Sequence, residues 1–362
     1  MQRKKKIITI EWIYIILGWV AIYYFYYIIT FWGISDFYGE GTLKNYLNHW
    51  YVHLEITSGA ILFGLFFCLI DVFTDKTAIR RKSFGKIIFI KSFLYLFTTS
   101  VVFLIIYGGF YLFKIGPFKE PESLLVIVNV KFIISWILFY IFSVVLITFV
   151  IQINKKIGPG NLIKLVTGRY HKPRDEERIF LFIDLRDSTT IAEKLGNNKY
   201  SRLLQNCYHD LTDIVIKYKA EIYQYVGDEV VLSWNKKDNF NPLDSVKLYY
   251  SYKNKLIDRK NFYLKYFDVF PEFKGGIDSG LVTVAEVGDI KREIAYHGDV
   301  LNTAARIQDK CREYDRDLLI SENFGTEIHE LNGFNKEFIG EVNLKGKKET
   351  VKIYSVELKS EK

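Results

Sequence analysis

The sequence predicts an α-helical four-span membrane bundle followed by a soluble α/β domain. Hydrophobic residues make up 49% of the 362 and charged residues 25%, and the two kinds are segregated. The first 150 residues hold only 14 of the 49 Lys and Arg and 8 of the 41 Asp and Glu. The remainder is charge-rich, with 35 Lys and Arg and 33 Asp and Glu. The division expected is a membrane domain at 1–153, a linker at 154–177 and a chemistry-bearing domain at 178–358.

Four apolar stretches, Ile7–Trp32, Ile56–Phe73, Ile87–Phe113 and Leu124–Ile153, are each near or above the ~20 residues that cross a ~30 Å hydrocarbon core. A soluble helix of this length normally keeps a polar stripe. The first stretch is also too long for a signal peptide and lacks a small-residue cleavage site. Arg3 to Lys6, the group Lys76, Arg80, Arg81, Lys82 and Lys86, and the pair Lys155 and Lys156 flank the spans on one side. Positive loops face the cytoplasm, so a multi-pass protein of the cell (inner) membrane is expected, with both termini and the second domain cytoplasmic. The net charge of +8 belongs mostly to these flanks and is no nucleic-acid footprint. His49 and His53, four apart, read as an interfacial pair, since two histidines do not complete a metal site. Cys68, Cys207 and Cys311 support neither a disulfide framework nor a thiolate zinc site.

The linker contains Gly158-Pro159-Gly160 and His171-Lys172-Pro173, both helix-breaking. Ile179–Ile183 follows as a short apolar run suited to a buried strand. It ends at Asp184, and Leu185–Thr190 leads into a helix expected from about Ile191 to Leu195. An acid at a strand end beside a helix N-terminus suits a hard cation and a phosphate, because free N–H groups face the anion. Glu221–Trp234 reads as a hairpin. Gly227-Asp228 is a two-residue turn with glycine first, and it projects Asp228 past the strand ends. Two carboxylates, Asp184 and Asp228, could share a pair of divalent cations for attack on phosphorus. After Gly298 comes a helix with Asn302 and Arg306 four apart on one face. An amide and a guanidinium there could hold a sugar and a phosphoryl oxygen. Ala304 and Ala305 permit close packing on its other faces. Phe338–Tyr354 reads as two strands around Lys345-Gly346-Lys347-Lys348.

In this order the four pieces resemble the class III nucleotidyl cyclases, the adenylate and guanylate cyclase catalytic domain, over about Arg178 to Val356. The resemblance implies a ferredoxin-like palm and a reaction turning ATP into 3′,5′-cyclic AMP and pyrophosphate. It implies two Mg²⁺ or Mn²⁺ ions per site on Asp184, Asp228 and the Ile183 carbonyl. Asn302 would orient the ribose and Arg306 would stabilise the transition state at the α-phosphate. The loop Leu185, Arg186, Asp187, Ser188 and Thr189 would hold phosphates through its N–H groups. Lys345, with Lys347 as fallback, would meet the β- and γ-phosphates. The site would straddle a homodimer interface, and the other partners implied are ATP and the lipid bilayer, with no nucleic acid. The base-selecting positions hold Gln224 and Ala295, where the family usually has Lys and Asp or Thr. Gln both donates and accepts, so GTP or another nucleotide stays open as the substrate. A diguanylate cyclase would need Gly-Gly before the hairpin acid, and Val226-Gly227 departs from that. A membrane sensor that retains the fold without the chemistry is the remaining alternative.

Overall fold

The structure is a computed structural model. It describes residues 2–32, 49–76, 84–114, 130–158, 164–165, 167–238, 240–343 and 350–359. The chain divides into two compact units, Lys4–Lys156 and Ile157–Lys362.

The described residues of the first unit are helical. Helix α1 (Gln2–Tyr27) runs into a π-helical turn, Ile28–Trp32. It is followed by α2 (Trp50–Lys76), α3 (Phe84–Leu112) and α4 (Val130–Ile157). All four are long and apolar enough to cross a membrane. Helix α2 starts at Trp50, six residues before the apolar stretch expected from Ile56, so His53 lies inside it and His49 just ahead of it. His53 stacks on Tyr24 and meets Tyr27 edge-on, while His49 stacks on Tyr51. Trp19, Phe63, Phe67, Tyr95 and Tyr140 pack as a buried aromatic cluster. Lys91 of α3 is buried and donates to Asp71 of α2. An ion pair within apolar helices is retained only when both charges are satisfied by each other or by further polar groups.

Among the described residues the second unit is built on one eight-stranded sheet. Its strands are β1 (Arg174–Leu185), β2 (Glu221–Val226), β3 (Glu229–Asn235), β4 (Phe273–Val287), β5 (Glu293–His297), β6 (Leu318–Ser321), β7 (Phe334–Val342) and β8 (Val351–Leu358). The order is β2-β3-β1-β4-β6-β8-β7, with β5 paired to β4. Strand β1 begins at Arg174, four residues inside the stretch expected as linker. Helix α5 (Ser188–Lys217) joins β1 to β2, and α6 (Leu243–Asp258) and α7 (Lys260–Phe267) join β3 to β4. This βαββαβ unit with order β2-β3-β1-β4 is the ferredoxin-like arrangement. Helix α8 (Asp299–Glu313) follows β5, and α9 (Glu322–Glu327) follows β6.

Strand β1 is central because its apolar run is buried on both faces. Ile179, Leu181 and Ile183 point into the core under α5 to α7, and Phe180 and Phe182 into the core on the other face with Val300 and Ala304 of α8. The helix expected at Ile191–Leu195 starts three residues earlier, breaks at Gly196 (φ 71°) and resumes to Lys217. Its second half is amphipathic, burying Leu203, Cys207, Leu211, Ile214 and Val215.

Helix α8 lies unusually close to the sheet. A Cβ on Gly276 of β4 would stand 2.4 Å from both the Ala304 carbonyl oxygen and the Gln308 amide nitrogen. Both are main-chain atoms, so no side-chain rotation relieves the clash. Gly276→Ala is therefore expected to destabilise the unit by roughly 1–3 kcal/mol, the scale of core overpacking. A thermal unfolding midpoint equal to the wild type would show that α8 can lift off without cost.

Candidate active site

Asp184 ends β1, where β3 and β4 close in from either side. Its Cα partners are Glu229 on β3 and Lys274 on β4. Between β2 and β3 only Gly227 and Asp228 intervene, with Val226 paired to Glu229. Gly227 takes φ 61°, which a tight two-residue hairpin requires and glycine meets without strain. The hairpin therefore sets Asp228 beside the end of β1. Burial first, and then the negative charge of Asp228, push the Asp184 carboxyl above its ordinary range, while Lys274 pulls it down. The two acids are brought together at one end of the sheet.

Several neighbours escape a reading of the sequence. Lys274 Nζ lies 3.4 Å from Asp184 Oδ2, and its side chain is 13% exposed. Gln308 Nε2 of α8 donates to the same oxygen at 3.3 Å. Tyr208 of α5 donates its hydroxyl to the Gly227 carbonyl at 3.0 Å, and its ring packs 4.6 Å from that of Tyr225. Burial and then the charge of Asp228 push the hydroxyl of Tyr200, also on α5, up to about 12. No local motif marks Lys274, Gln308, Tyr200 or Tyr208. Glu229, adjacent to the turn, was visible in sequence, but its environment was not. Burial and the charges of Asp184, Asp309 and Asp228 push it from 4.5 to about 7.

A carboxyl with a raised pKa binds its proton more tightly when folded. Its contribution to stability is therefore largest below pH ~4.5 and is lost as pH rises through ~7. With divalent cations chelated, Glu229→Gln is expected to raise the unfolding midpoint at pH 8, and the gain should shrink towards pH 5. A gain independent of pH would mean that Glu229 does not carry this repulsion.

The main chain around Asp184 alternates between its neighbours. The Arg186 amide donates to the Glu272 carbonyl ahead of β4, and the Glu177 carbonyl accepts from Lys236 beyond β3. In an antiparallel ladder each residue directs both N–H and C=O to the same side. Even-numbered residues of β1 thus bond towards β4 and odd-numbered ones towards β3. The Ile183 carbonyl faces Val230 within the ladder, where the alternation gives it a main-chain partner. The Leu185 carbonyl points the same way but one step past the last β1–β3 pair, towards the Gly227–Asp228 turn.

Within the expected phosphate loop, Arg186 is engaged by distant groups. Its amide is already used, and its guanidinium donates to the Arg316 carbonyl at 2.6 Å and Asp317 Oδ1 at 3.2 Å. Asp187 sits at the N-cap of α5 with φ 51° and no side-chain cap bond. The amides at the start of α5, including Ser188 and Thr189, have no partner inside the helix. Lys345 and Lys347 lie outside the described residues.

On α8, Val300, Thr303, Ala304, Ile307, Gln308 and Cys311 form the buried stripe. Asn302 and Arg306 lie on the outward stripe with Asp309, and Asn302 is exposed. Two residues along a helix turn it by about 200°. Arg306 therefore faces away from the side on which Gln308 reaches Asp184. The structure brings Asp184 and Asp228 together at the end of the sheet, while Asn302 and Arg306, four apart on α8, share a different stripe from Gln308, which reaches Asp184. Gln224 is exposed on β2, just after a bulge at Tyr223, and Ala295 on β5 pairs with Ala285 of β4. The Tyr223 and Tyr296 rings, 4.7 Å apart, bring these two strands together.

Among the described residues no three His, Cys, Asp or Glu side chains gather into a metal cage. Mg²⁺ does not need one, since it usually takes one or two carboxylates and completes its shell with water and substrate phosphates. Two repelling carboxylates beside the Leu185 main-chain carbonyl are an all-oxygen donor set that fits such an ion.

Residues 170–357 match the family described as the adenylate and guanylate cyclase catalytic domain. Over 210 residues the chain is 30% identical to adenylate cyclase 2 of Rhizobium meliloti, covering 58% of each protein. Over 186 residues it is 24% identical to adenylate cyclase 1 of the same organism, covering 50% of this chain and 27% of that one. The chain thus spans less than two thirds of the length of these curated relatives. Among solved structures, a bacterial light-regulated adenylyl cyclase superposes with a TM-score of 0.52 at 21% identity, covering 59% of this chain and 64% of that chain. That likeness is one of fold.

Proposed function

The chain belongs to the adenylate and guanylate cyclase catalytic-domain family, and on that premise we propose that it is a membrane-bound cyclase that turns ATP into 3′,5′-cyclic AMP and pyrophosphate. The observation that carries the reading is the outward stripe of α8. One chain owns both an acid pair and an Asn/Arg pair but directs them apart, so a second copy supplies what the first lacks. A homodimer with two composite sites follows, in keeping with the self-complementarity of two-fold assemblies.

In each site, Asp184, Asp228 and the Leu185 carbonyl would hold divalent cations, Mg²⁺ or Mn²⁺. When bound, such ions neutralise charge on the attacking and phosphate oxygens. The free amides at the start of α5 and the ammonium of Lys274 would bind the triphosphate. Asn302 of the other copy would hold the ribose so that its 3′ oxygen lies in line with the α-phosphorus. The O3′–Pα bond forms, the bond from Pα to the bridging oxygen breaks, pyrophosphate leaves and the 3′-hydroxyl proton passes to solvent. Arg306 would meet the charge that spreads over the α-phosphoryl oxygens as this happens. Lys345 remains the proposed contact to the outer phosphates. The four apolar helices would anchor the protein in the cell membrane, with the catalytic unit on the cytoplasmic side where the Lys and Arg loops lie.

ATP is chosen on the names of the two Rhizobium relatives. Gln224, which both donates and accepts, can meet either purine edge, so GTP is the competing substrate. Membranes containing the full chain, given Mg²⁺ or Mn²⁺ and each of the four nucleoside triphosphates in turn, decide the matter. Cyclic AMP from ATP is expected. Cyclic GMP alone would overturn the base assignment, and no cyclic product from any nucleotide would overturn the enzyme reading.

A further inference from the structure

Arg178 of β1 is 1% exposed, and no step above uses it. Its Nε donates to Glu176 Oε2 at 2.9 Å, and its Nη1 to Glu221 Oε2 at 2.9 Å and Ser233 Oγ at 3.0 Å. Its guanidinium carbon lies 4.6 Å from the centroid of the Tyr296 ring. A buried cation is tolerated only when paired as fully as this, and the planar fork of arginine suits a carboxylate on each side and a ring against its face.

These partners have a common address. Glu221 opens β2 and Tyr296 lies in β5, the strands that carry Gln224 and Ala295. Between Glu221 and Gln224 the β2–β3 register slips, leaving Tyr223 as the bulged residue. A bulge re-aims the side chains that follow it, so the direction of Gln224 depends on what anchors the bulge. Glu221 anchors it from one end, and the Tyr223–Tyr296 contact anchors it from the side. Arg178 holds both.

A second cation closes the clamp from the segment that precedes β1. Lys164 Nζ donates to Glu221 Oε1 at 2.9 Å, the oxygen that Arg178 leaves free. Burial pushes the Glu221 carboxyl up, but Arg178 and Lys164 together hold it below its ordinary range. From the same segment, the Tyr170 hydroxyl donates to Glu176 Oε1 at 3.0 Å, and Glu176 also accepts from Asn235 at 2.9 Å.

We propose that Arg178 and Lys164 are positioning residues for base recognition, holding the bulged β2 against β5 so that Gln224 and Ala295 keep their spacing. The proposal rests on the cyclase reading above. Its test leaves Arg178 in place, because removing that charge would strand two carboxylates. Lys164→Met removes the second cation, and Tyr296→Leu removes the ring from the guanidinium. Lys164→Arg and Tyr296→Phe conserve each contact.

In the full chain in membranes, KM and kcat are measured with ATP and with GTP, together with the thermal midpoint. Lys164→Met and Tyr296→Leu are expected to raise the nucleotide KM about tenfold and to change the ATP-to-GTP ratio of kcat/KM. Displacing a contacting group by a fraction of an ångström has effects of this order. The two conservative variants should restore wild-type values. A merely structural role would lower the midpoint or kcat while leaving KM and the base ratio unchanged, and that result overturns the proposal. Should Tyr296→Leu fail to fold, Lys164→Met decides alone, since its side chain is 21% exposed. A wild-type chain that makes no cyclic nucleotide sinks the cyclase reading and the proposal with it. An active wild type beside unchanged variants sinks the proposal only.

Discussion

Asp228→Ala is expected to reduce cyclic nucleotide formation by about a thousandfold or more, with the fold intact. The carboxylate stands on a two-residue turn and is only part-buried, so its loss opens no core cavity. It also relieves the repulsion that pushes up Asp184, and the apo protein should unfold no earlier than the wild type. What is lost is cation binding, and with it several kcal/mol of charge stabilisation, where each ~1.4 kcal/mol is tenfold in rate. Asp184→Ala should match it in rate. A second readout separates chemistry from folding: the thermal shift on adding Mn²⁺ should vanish in either variant. Wild-type turnover, or an unchanged shift, would remove these acids from the metal site.

Arg306→Ala comes next in size, at roughly 10²-fold or more in kcat with KM less affected, the scale for one preorganised charge stabiliser. Arg306 makes no hydrogen bond or ion pair among the described residues, so its removal should leave the unfolding midpoint unchanged. The pairing of two inactive variants is more telling. Asp228→Ala and Arg306→Ala damage different halves of a composite site. When they are co-expressed in one membrane, half the dimers should be mixed, and each mixed dimer keeps one intact site of two. Activity should recover to about a quarter of the wild type under random two-fold pairing. Recovery to no more than the sum of the separate variants would mean that each chain completes its own site, against the outward direction of Arg306.

Local chemistry made part of this legible in advance. The Gly227-Asp228 turn was readable because a two-residue hairpin allows few conformations and glycine adopts the one required. The spans were readable because an apolar run of that length has few other uses. The helix after β1 was only half readable. Its start at Ser188 is set by Asp187 in a left-handed conformation rather than by a side-chain cap, and its continuation past Gly196 depends on the core that its second half buries.

The surroundings of Asp184 depend on neighbours distant in sequence. Ile183 and Leu185 cannot be told apart as carbonyl donors until β3 and β4 are laid beside β1. Arg186 turns to a carboxylate 131 residues away, and Gln308 reaches Asp184 across 124. Arg178 reads as an ordinary charged residue ahead of an apolar run, until Glu221, Ser233 and Tyr296 converge on it.

The order of the residues by itself determined the four apolar spans, the hairpin acid and the Asn302–Arg306 spacing, because helix period, turn geometry and membrane thickness act over a few neighbouring positions. Only the tertiary structure decided which charges meet and which distant residues surround them. Coulomb energy and desolvation depend on distance through space and on burial, and neither is written along the chain.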